Sequence, residues 1–542
     1  DEVARARGID QRETEGRFHS TMSSCFGDFD LDGFLDVATT EWRRTYHGLS
    51  NSRNSLLRNR GSAAPGFFRD VTSEMGIRLE DVVRAGAWGF TPTLTDMDGD
   101  HRPDLFVAAD FESSRVFWND VGTFIDGTVD AGVGTDENGM GSALGDYDND
   151  GDLDWFVTAI YDDTCAATDS CQWGSTGNRL YRNDGDRRFT DVTDEAGVRD
   201  AGWGWGTRFF DYDLDGDLDL IATNGMRKPP ATTNFATDPP RLSRHNRDGT
   251  FTDQASIWGV DLTQHSFGAS AADYNGDGWI DIFVTSYGPG TSGPAPMQHK
   301  LYQNNGPNTE GQCTFTNTAN AAGVAMLLRD NFLNGTGSGW GDIDLDGDLD
   351  LSVSAYNNPS PGNRVFLNNG DGSFTDSTAA IGLEFNRVQG FLPAWVDFNG
   401  DRYPEYMLIG DTGSSPFHAN NGPDADGVVY NVNADTAAAA LAAMAATAVP
   451  GSPLLATGDC GSALRVAETL RAYTSKLRAD VATAQREIVS HRERAQRMKA
   501  EIDRLASDLP SARKGAATEI YAKDVSSVVS PNPVDPTKAA YY

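Results

Sequence analysis

Hydrophobic and polar positions recur in one pattern seven times along the chain. Each repeat holds a nine-residue acidic loop, and we number these loops 1 to 7 by their first aspartates: Asp28, Asp96, Asp146, Asp211, Asp273, Asp342 and Asp397. The residue after that aspartate is always apolar: Phe29, Met97, Tyr147, Tyr212, Tyr274, Ile343 and Phe398. Six positions before it stands a large apolar residue in every repeat except at Thr336. Apolar residues at a fixed register predict a repeated core.

Short apolar runs follow the acidic loops, as at residues 105–107, 155–157, 220–222 and 282–284. Because they are apolar at every position, we expect strands that are buried on both faces. Further along the third repeat, Asp184-Gly185 separates two strand-like segments and predicts a hairpin turn. Each repeat therefore predicts four antiparallel strands, with the acidic loop joining the first two.

Seven four-stranded units predict an all-β fold, a seven-bladed β-propeller over residues 1–432. Four glycines lie five positions before the loop aspartate and would tolerate crowding near the axis: Gly141, Gly206, Gly268 and Gly337. Residues 1–9 match the last part of a repeat, and we expect them to complete or abut the last blade. A linear solenoid stays open as the alternative architecture.

After residue 432 the strand pattern stops. Residues 433–461 form an Ala/Gly/Pro linker, and residues 462–509 carry apolar or small side chains at steps of three and four with one stutter. This spacing predicts a long amphipathic, coiled-coil-like helix, with Pro510 as its stop. The Ser/Pro/Ala-rich residues 510–542 are predicted to be extended or mobile. Such a helix buries its seam against a partner, which predicts a protein partner or self-assembly.

The formal net charge of −35 is largely explained by the loops. Of the 79 acidic residues, 26 stand at predicted ligand positions, and seven divalent ions would change −35 to −21. An acidic surface argues against a nucleic-acid partner, because phosphate binding needs basic residues. The sequence has no apolar stretch of 18 residues, so we expect no transmembrane segment.

Carboxylates at loop positions 1, 3, 5 and 9, with the carbonyl of position 7, can surround one hard cation. We therefore predict Ca²⁺ at up to seven sites, with glycine at position 6 allowing the turn in five loops. His101 and Arg402 replace that glycine, and loop 7 is expected to bind most weakly. The predicted ligands are Asp28, Asp30, Asp32 and Asp36; Asp96, Asp98, Asp100 and Asp104; Asp146, Asp148, Asp150 and Asp154; Asp211, Asp213, Asp215 and Asp219; Asp273, Asn275, Asp277 and Asp281; Asp342, Asp344, Asp346 and Asp350; and Asp397, Asn399, Asp401 and Glu405.

The order of these segments resembles a known family. Residues 189–198, a Gly-rich aromatic segment, loop 4 and the apolar run after it resemble the FG-GAP/VCBS repeat. That family is similar to the N-terminal propeller of integrin α subunits and to ASPIC/UnbV-type repeat proteins. The resemblance implies a seven-bladed propeller with calcium between the first two strands of each blade. It also implies an extracellular protein of adhesion or scaffolding.

We accordingly predict a secreted or cell-surface structural and adhesive module with no catalytic or cofactor-binding residues. HExxH, GxSxG, P-loop and dinucleotide motifs are absent from the sequence. Two alternatives stay open. One is a propeller enzyme acting on polysaccharide, a lyase or hydrolase, with His265, His299 or His418 as general base. The other is a carbohydrate-binding lectin that uses Trp88, Trp203 or Trp340 and takes a glycan as partner.

The five cysteines form an odd set. Cys165 and Cys171 lie close together in a polar loop, so an oxidising compartment would allow them to form a disulfide. Two unpaired thiols are the alternative.

Overall fold

The computed structural model describes residues 7–9, 21–44, 54–77, 86–121, 123–163, 174–225, 235, 238–260, 265–289, 298–309, 311–326, 332–356, 362–383, 388–410, 416–420 and 422. The linker, the helix and the tail predicted for residues 433–542 lie outside this part, as do Cys165 and Cys171. The chain divides into two compact units, Asp1–Ala437 with Tyr542, and Ala438–Tyr541. All described residues belong to the first unit.

The described chain is all-β, and its small antiparallel sheets are those expected of a propeller. The strands of the first four repeats are β1 Thr21–Gly27, β2 Asp36–Arg44, β3 Ser55–Asn59, β4 Phe68–Asp70, β5 Gly86–Thr95, β6 Asp104–Ala109, β7 Arg115–Asn119, β8 Phe124–Asp126, β9 Ser142–Gly145, β10 Asp154–Val157, β11 Arg179–Asn183, β12 Phe189–Asp191, β13 Gly204–Phe210, β14 Asp219–Asn224, β15 Arg241–His245 and β16 Phe251–Asp253. The remaining strands are β17 Ser266–Ala272, β18 Asp281–Pro289, β19 Lys300–Pro307, β20 Cys313–Asn317, β21 Phe332–Gly341, β22 Asp350–Ala355, β23 Arg364–Asn368, β24 Phe374–Asp376, β25 Gly390–Val396, β26 Glu405–Gly410 and β27 Phe417–His418.

Helical structure among the described residues is short. It comprises α1 Thr128–Ala131, α2 Thr193–Ala196, α3 Ala255–Trp258 and a 3₁₀ turn at Gly61–Ala63. Each α-helix ends at a glycine in the left-handed conformation, such as Gly132 with φ 80°. No helix in this part of the chain is long and apolar enough to cross a membrane.

Strand pairing follows the predicted order. Within each repeat the first strand pairs with the second, the second with the third, and the third with the fourth, while the last described repeat has only β25, β26 and β27. Every pair is antiparallel, and each acidic loop joins a first strand to a second one, as in the register Gly27↔Asp36. Two further pairings, β2 with β5 and β18 with β21, join neighbouring repeats.

The core lies between consecutive sheets. Phe106 and Trp118 of the second repeat pack against Trp155 and Tyr181 of the third. All seven apolar residues that follow the loop aspartates are buried, which confirms their assignment to the core. The large residues six positions before the aspartates are less uniform, since only Met140 and Phe267 among them are buried.

The inner strands of neighbouring repeats approach closely where glycines were expected. A Cβ atom on Gly141 would lie 2.1 Å from the carbonyl oxygen of Trp205, and one on Gly337 would lie 2.4 Å from that of Phe391. Hydroxyl groups also bridge neighbouring repeats at this level, through the bonds Thr40→Phe90, Thr91→Met140, Thr158→Trp205, Thr223→Phe267 and Ser354→Phe391, each to a backbone carbonyl at 2.5–2.8 Å. The predicted crowding is confirmed at these glycines.

The first and last repeats share a core. Val37 and Leu57 of the first repeat form one cluster with Met407 and Phe417 of the last. Ile9 belongs to the same cluster, and the Arg7 guanidinium lies 4.9 Å from the ring centre of Phe417. The described part of the N-terminal segment therefore packs where the first and last repeats meet, in line with its expected place.

Candidate metal centres

The aspartate at position 1 shapes each acidic loop. In loop 3, Asp146 Oδ1 accepts the N–H of Asp150 at 3.0 Å, and Oδ2 accepts that of Gly151 at 3.0 Å. In the other six loops the position 1 carboxylate likewise accepts hydrogen bonds from the backbone N–H groups of positions 5 and 6. One carboxylate thus folds the loop so that the following acidic side chains converge.

Positions 4 and 6 have positive φ in every loop, which explains where glycine is placed. Five loops have glycine at position 6, as predicted. In loops 2 and 7 that position is His101 (φ 69°) or Arg402 (φ 80°), and glycine stands instead at position 4, as Gly99 or Gly400. Loops 2 and 7 therefore keep the common backbone conformation with one glycine each.

Carboxylate oxygens converge within 4.8 Å of one another in five loops. The groups are Asp28, Asp30 and Asp32; Asp96, Asp98 and Asp104; Asp146, Asp148 and Asp154; Asp211, Asp213 and Asp215; and Asp342, Asp344 and Asp350. Loops 5 and 7 carry an amide at position 3, Asn275 or Asn399, so each has one carboxylate fewer. An amide oxygen can also bind calcium, but it adds no negative charge.

Buried carboxylate oxygens at position 3 test whether these loops fit a bound cation. One carboxylate oxygen of each of Asp148, Asp213 and Asp344 is buried and has no hydrogen-bond donor. A buried carboxylate oxygen without a partner is costly unless a cation or water satisfies it. All-oxygen ligands of this charge suit a hard divalent ion such as Ca²⁺. The residues present therefore fit the predicted cation.

The carboxylate at position 9 has a second role that the sequence did not reveal. Asp154 Oδ2 accepts the N–H of Tyr147 at 3.0 Å, and its Oδ1 accepts the N–H of Asn183 on the third strand at 2.8 Å. Burial raises the pKa of this carboxyl to about 7. Burial likewise raises the pKa of Asp219 and Glu405 to about 8. Position 9 thus joins the loop to the sheet, and a nearby cation would favour its ionised form.

An asparagine at the end of the third strand connects consecutive acidic loops, and sequence reasoning missed it. Its Nδ2 donates to the carbonyl of position 2 in the preceding loop, at 2.8–3.3 Å: Asn119→Phe29, Asn183→Met97, Asn304→Tyr212, Asn368→Tyr274, Asn420→Ile343 and Asn59→Phe398. The last bond joins the first repeat to the seventh. His245 occupies this place in the fourth repeat. The sequence signal for this link was the asparagine that precedes the hairpin turn. Asparagine is also common in ordinary turns, so the signal was not specific.

Among the described residues, the converging carboxylate groups include none of the candidate histidines. His299 is fully buried, and its Nδ1 accepts the N–H of Ser286 at 3.0 Å. Asn178 and Asn363 stand at the same register and accept an equivalent N–H through Oδ1, which indicates a structural role for His299. Trp88 and Trp340 are buried, whereas Trp203 is half-buried and stacks on Trp205 at 6.4 Å between ring centres.

Stability is expected to fall in acid because of His299. Burial lowers the pKa of His299 from 6.5 to about 3 in the folded protein. The neutral form is therefore favoured by folding, so this contribution is complete above pH 6.5 and decreases by about 1.4 kcal/mol per pH unit between pH 6.5 and 3. The variant His299→Asn has at this position the asparagine found in repeats 3 and 6. Its free energy of unfolding, measured with urea, should fall less steeply with decreasing pH over this range. Equal slopes for both proteins would contradict the assignment.

The comparisons with known proteins agree with the repeat pattern. The FG-GAP-like repeat family matches residues 96–157, 162–222, 232–284 and 342–408. No curated protein sequence matches the chain. Among solved structures, a rhamnogalacturonan lyase, YesW, is similar at 13% identity and a TM-score of 0.34, over 74% of this chain and 72% of that one. A similarity of this size carries no information on activity. The family matches fall on acidic loops 2 to 7, and the chain is therefore an FG-GAP repeat protein.

Proposed function

We propose that the protein is an extracellular, calcium-binding structural and adhesive module whose repeats close into a seven-bladed propeller. Closure is supported by the bond from Asn59 Nδ2 to the carbonyl of Phe398 at 3.2 Å. It is supported further by the core that Val37 and Leu57 share with Met407. A linear solenoid would leave its first and last repeats apart, so these contacts favour the ring.

One observation supports calcium binding by the acidic loops. In loops 3, 4 and 6, one carboxylate oxygen at position 3 is buried and has no hydrogen-bond donor. The carboxylates of positions 1, 3, 5 and 9 would hold the ion, with Asn275 and Asn399 contributing an amide oxygen in loops 5 and 7. Bound calcium would neutralise these carboxylates and tie together residues from both ends of the loop. We therefore assign calcium a structural role.

An extracellular location follows from the expected affinity. Loops with this ligand set in extracellular modules bind calcium with dissociation constants of about 10⁻⁴–10⁻³ M. Millimolar calcium would fill such sites, whereas submicromolar calcium would leave them empty. The resemblance to extracellular FG-GAP proteins points the same way. We propose that the chain is secreted or displayed at a cell surface.

We extend this proposal to a non-enzymatic role in assembly. Residues 462–509 carry the heptad-like pattern of a helix that binds a partner. The full chain should form oligomers or bind a partner protein, and a chain lacking residues 462–509 should be monomeric in analytical ultracentrifugation. Identical sedimentation of the two chains, alone and with extract from the source cells, would contradict an assembly role for this segment.

A further inference from the structure

The seven acidic loops differ in one neighbour that the repeat pattern leaves variable. The residue just before the linking asparagine or histidine of the third strand varies, and in repeats 1 and 4 it is an arginine that pairs with position 3 of the loop. It is Arg58, Trp118, Arg182, Arg244, Gln303 or Leu367 in repeats 1 to 6. A cationic side chain at this place changes the net charge that a calcium ion would meet.

Two arginines neutralise part of loop 4. Arg244 Nε lies 2.7 Å from Asp213 Oδ2, and its Nη2 lies 2.6 Å from Asp215 Oδ2. Arg247 Nη2 lies 3.1 Å from the same Asp215 oxygen. These are charge-assisted bonds to two of the predicted calcium ligands. Arg247 Nε also lies 2.9 Å from Asp217 Oδ2, outside the predicted ligand set. The four ligand carboxylates and the two guanidinium groups together carry a formal charge of −2.

Loop 2 is neutralised in a different way. Arg187, which comes from the hairpin turn of the next repeat, places Nε 2.5 Å from Asp98 Oδ2 and Nη2 3.7 Å from Asp100 Oδ2. Arg102, at position 7 of the loop itself, also pairs with Asp100. The net charge is again −2, although none of these cations stands at the place of Arg244.

Among the described residues, no arginine lies within ion-pair distance of a ligand carboxylate of loop 3 or loop 6. Arg182 pairs directly with Asp184 at 2.8 Å and acts on the ligand Asp148 only from beyond ion-pair distance. The sixth repeat has Leu367 at the variable place, and within the described residues no ion pair reaches the ligands of loop 6. Both loops therefore keep four ligand carboxylates and a net charge of −4.

We infer that arginines make the sites unequal: calcium fills loops 3 and 6 first, while Arg244 with Arg247, and Arg187 with Arg102, act as built-in counter-ions of loops 4 and 2. The guanidinium groups pair with the Oδ2 atoms of ligand carboxylates and lower the negative charge that calcium meets at loops 2 and 4. The inference rests on the proposed calcium function. It names residues that set the affinity of each site and that are not ligands themselves.

The expected difference between sites is large. A guanidinium group at contact distance from a ligand carboxylate repels a second cation at that carboxylate, and this repulsion is stronger near a protein surface than in bulk water. Solvent screening reduces that effect for partly exposed arginines. The dissociation constant for calcium is therefore expected to be at least about tenfold higher at loop 4 than at loop 6.

The test exchanges the variable residues between repeats. The variant Arg244→Gln/Arg247→Gly gives repeat 4 the residues found at Gln303 and Gly306 in repeat 5. Calcium titration calorimetry of the full chain should then show one more tight site than the unmodified protein, with at least about tenfold higher affinity. The reciprocal variant Leu367→Arg should lose one tight site. Thermal melting without calcium checks that each variant is folded.

Three outcomes are distinguished by a ligand variant, Asp344→Asn. Loss of one tight site in Asp344→Asn together with the gain in Arg244→Gln/Arg247→Gly supports the inference. Loss in Asp344→Asn with an unchanged number of tight sites in a folded Arg244→Gln/Arg247→Gly overturns it and leaves calcium binding intact. If the unmodified protein and every variant take up no calcium, the proposed function fails first, and the inference falls with it.

Discussion

Removal of calcium is expected to lower the melting temperature of the protein by about 10 °C or more. In about 10 mM calcium, a site with a dissociation constant of about 10⁻⁴ M is held at about 100 times that constant and gains about 2.7 kcal/mol of stability. Two tight sites would thus add about 5 kcal/mol, and 1 kcal/mol shifts the melting temperature of a larger domain by roughly 2 °C. The chain also carries a net charge of −35, so emptied loops repel one another.

Calorimetry of the full chain in excess chelator and in millimolar calcium provides this measurement. A sample in chelator with added sodium chloride serves as the control, because general charge screening should restore only a small part of the loss. Return of the original melting temperature when calcium is added in excess shows that the loss is reversible. Identical melting temperatures with and without calcium would contradict a structural role for the ion.

Substitution of Asp154 by Asn should destabilise the protein even without calcium. Both oxygens of Asp154 accept backbone N–H groups, from Tyr147 and Asn183. An amide keeps one acceptor and places an NH₂ group against the other N–H, leaving a buried donor unsatisfied. We expect a loss of about 1–3 kcal/mol in the free energy of unfolding in chelator, measured with urea.

Asp148→Asn in the same loop is the matched control. Asp148 Oδ1 has no donor, so its replacement should cost little in chelator and should reduce stability only when calcium is present. The two variants therefore separate the loop's link to the sheet from its cation site. Equal losses for both variants in chelator would contradict the distinct roles assigned to positions 3 and 9.

Local patterns in the sequence were sufficient to predict the strands, the loops and the glycines. Gly206 and Gly268 could be assigned to crowded inner strands because their spacing from the loop aspartate is fixed. The residues after the aspartates could be assigned to the core because all of them are apolar. The convergence of Asp146, Asp148 and Asp154 follows from alternate-residue spacing around a tight turn. These features depend on neighbours within one repeat.

Features that join one repeat to another could not be predicted. Asn59 and Phe398 are 339 residues apart, and asparagine before a turn has a sufficient local explanation. Arg187 reaches Asp98 across 89 residues, so its pairing with loop 2 had no local signal in the sequence. Position 9 looked like a ligand only, because one of its N–H donors lies on the third strand, as Asn183 does 29 residues after Asp154. The choice between ring and solenoid likewise depends on contacts between the ends of the array.

The central claim, a closed ring of seven sheets stiffened by calcium, is tested most directly by a crystal structure of the full chain grown in millimolar calcium, with anomalous scattering used to locate the ions. We predict seven four-stranded sheets, first and last repeats in contact through Asn59 and Phe398, and calcium in at least loops 3 and 6. Sheets stacked in an open array, or acidic loops without calcium under these conditions, would contradict the account.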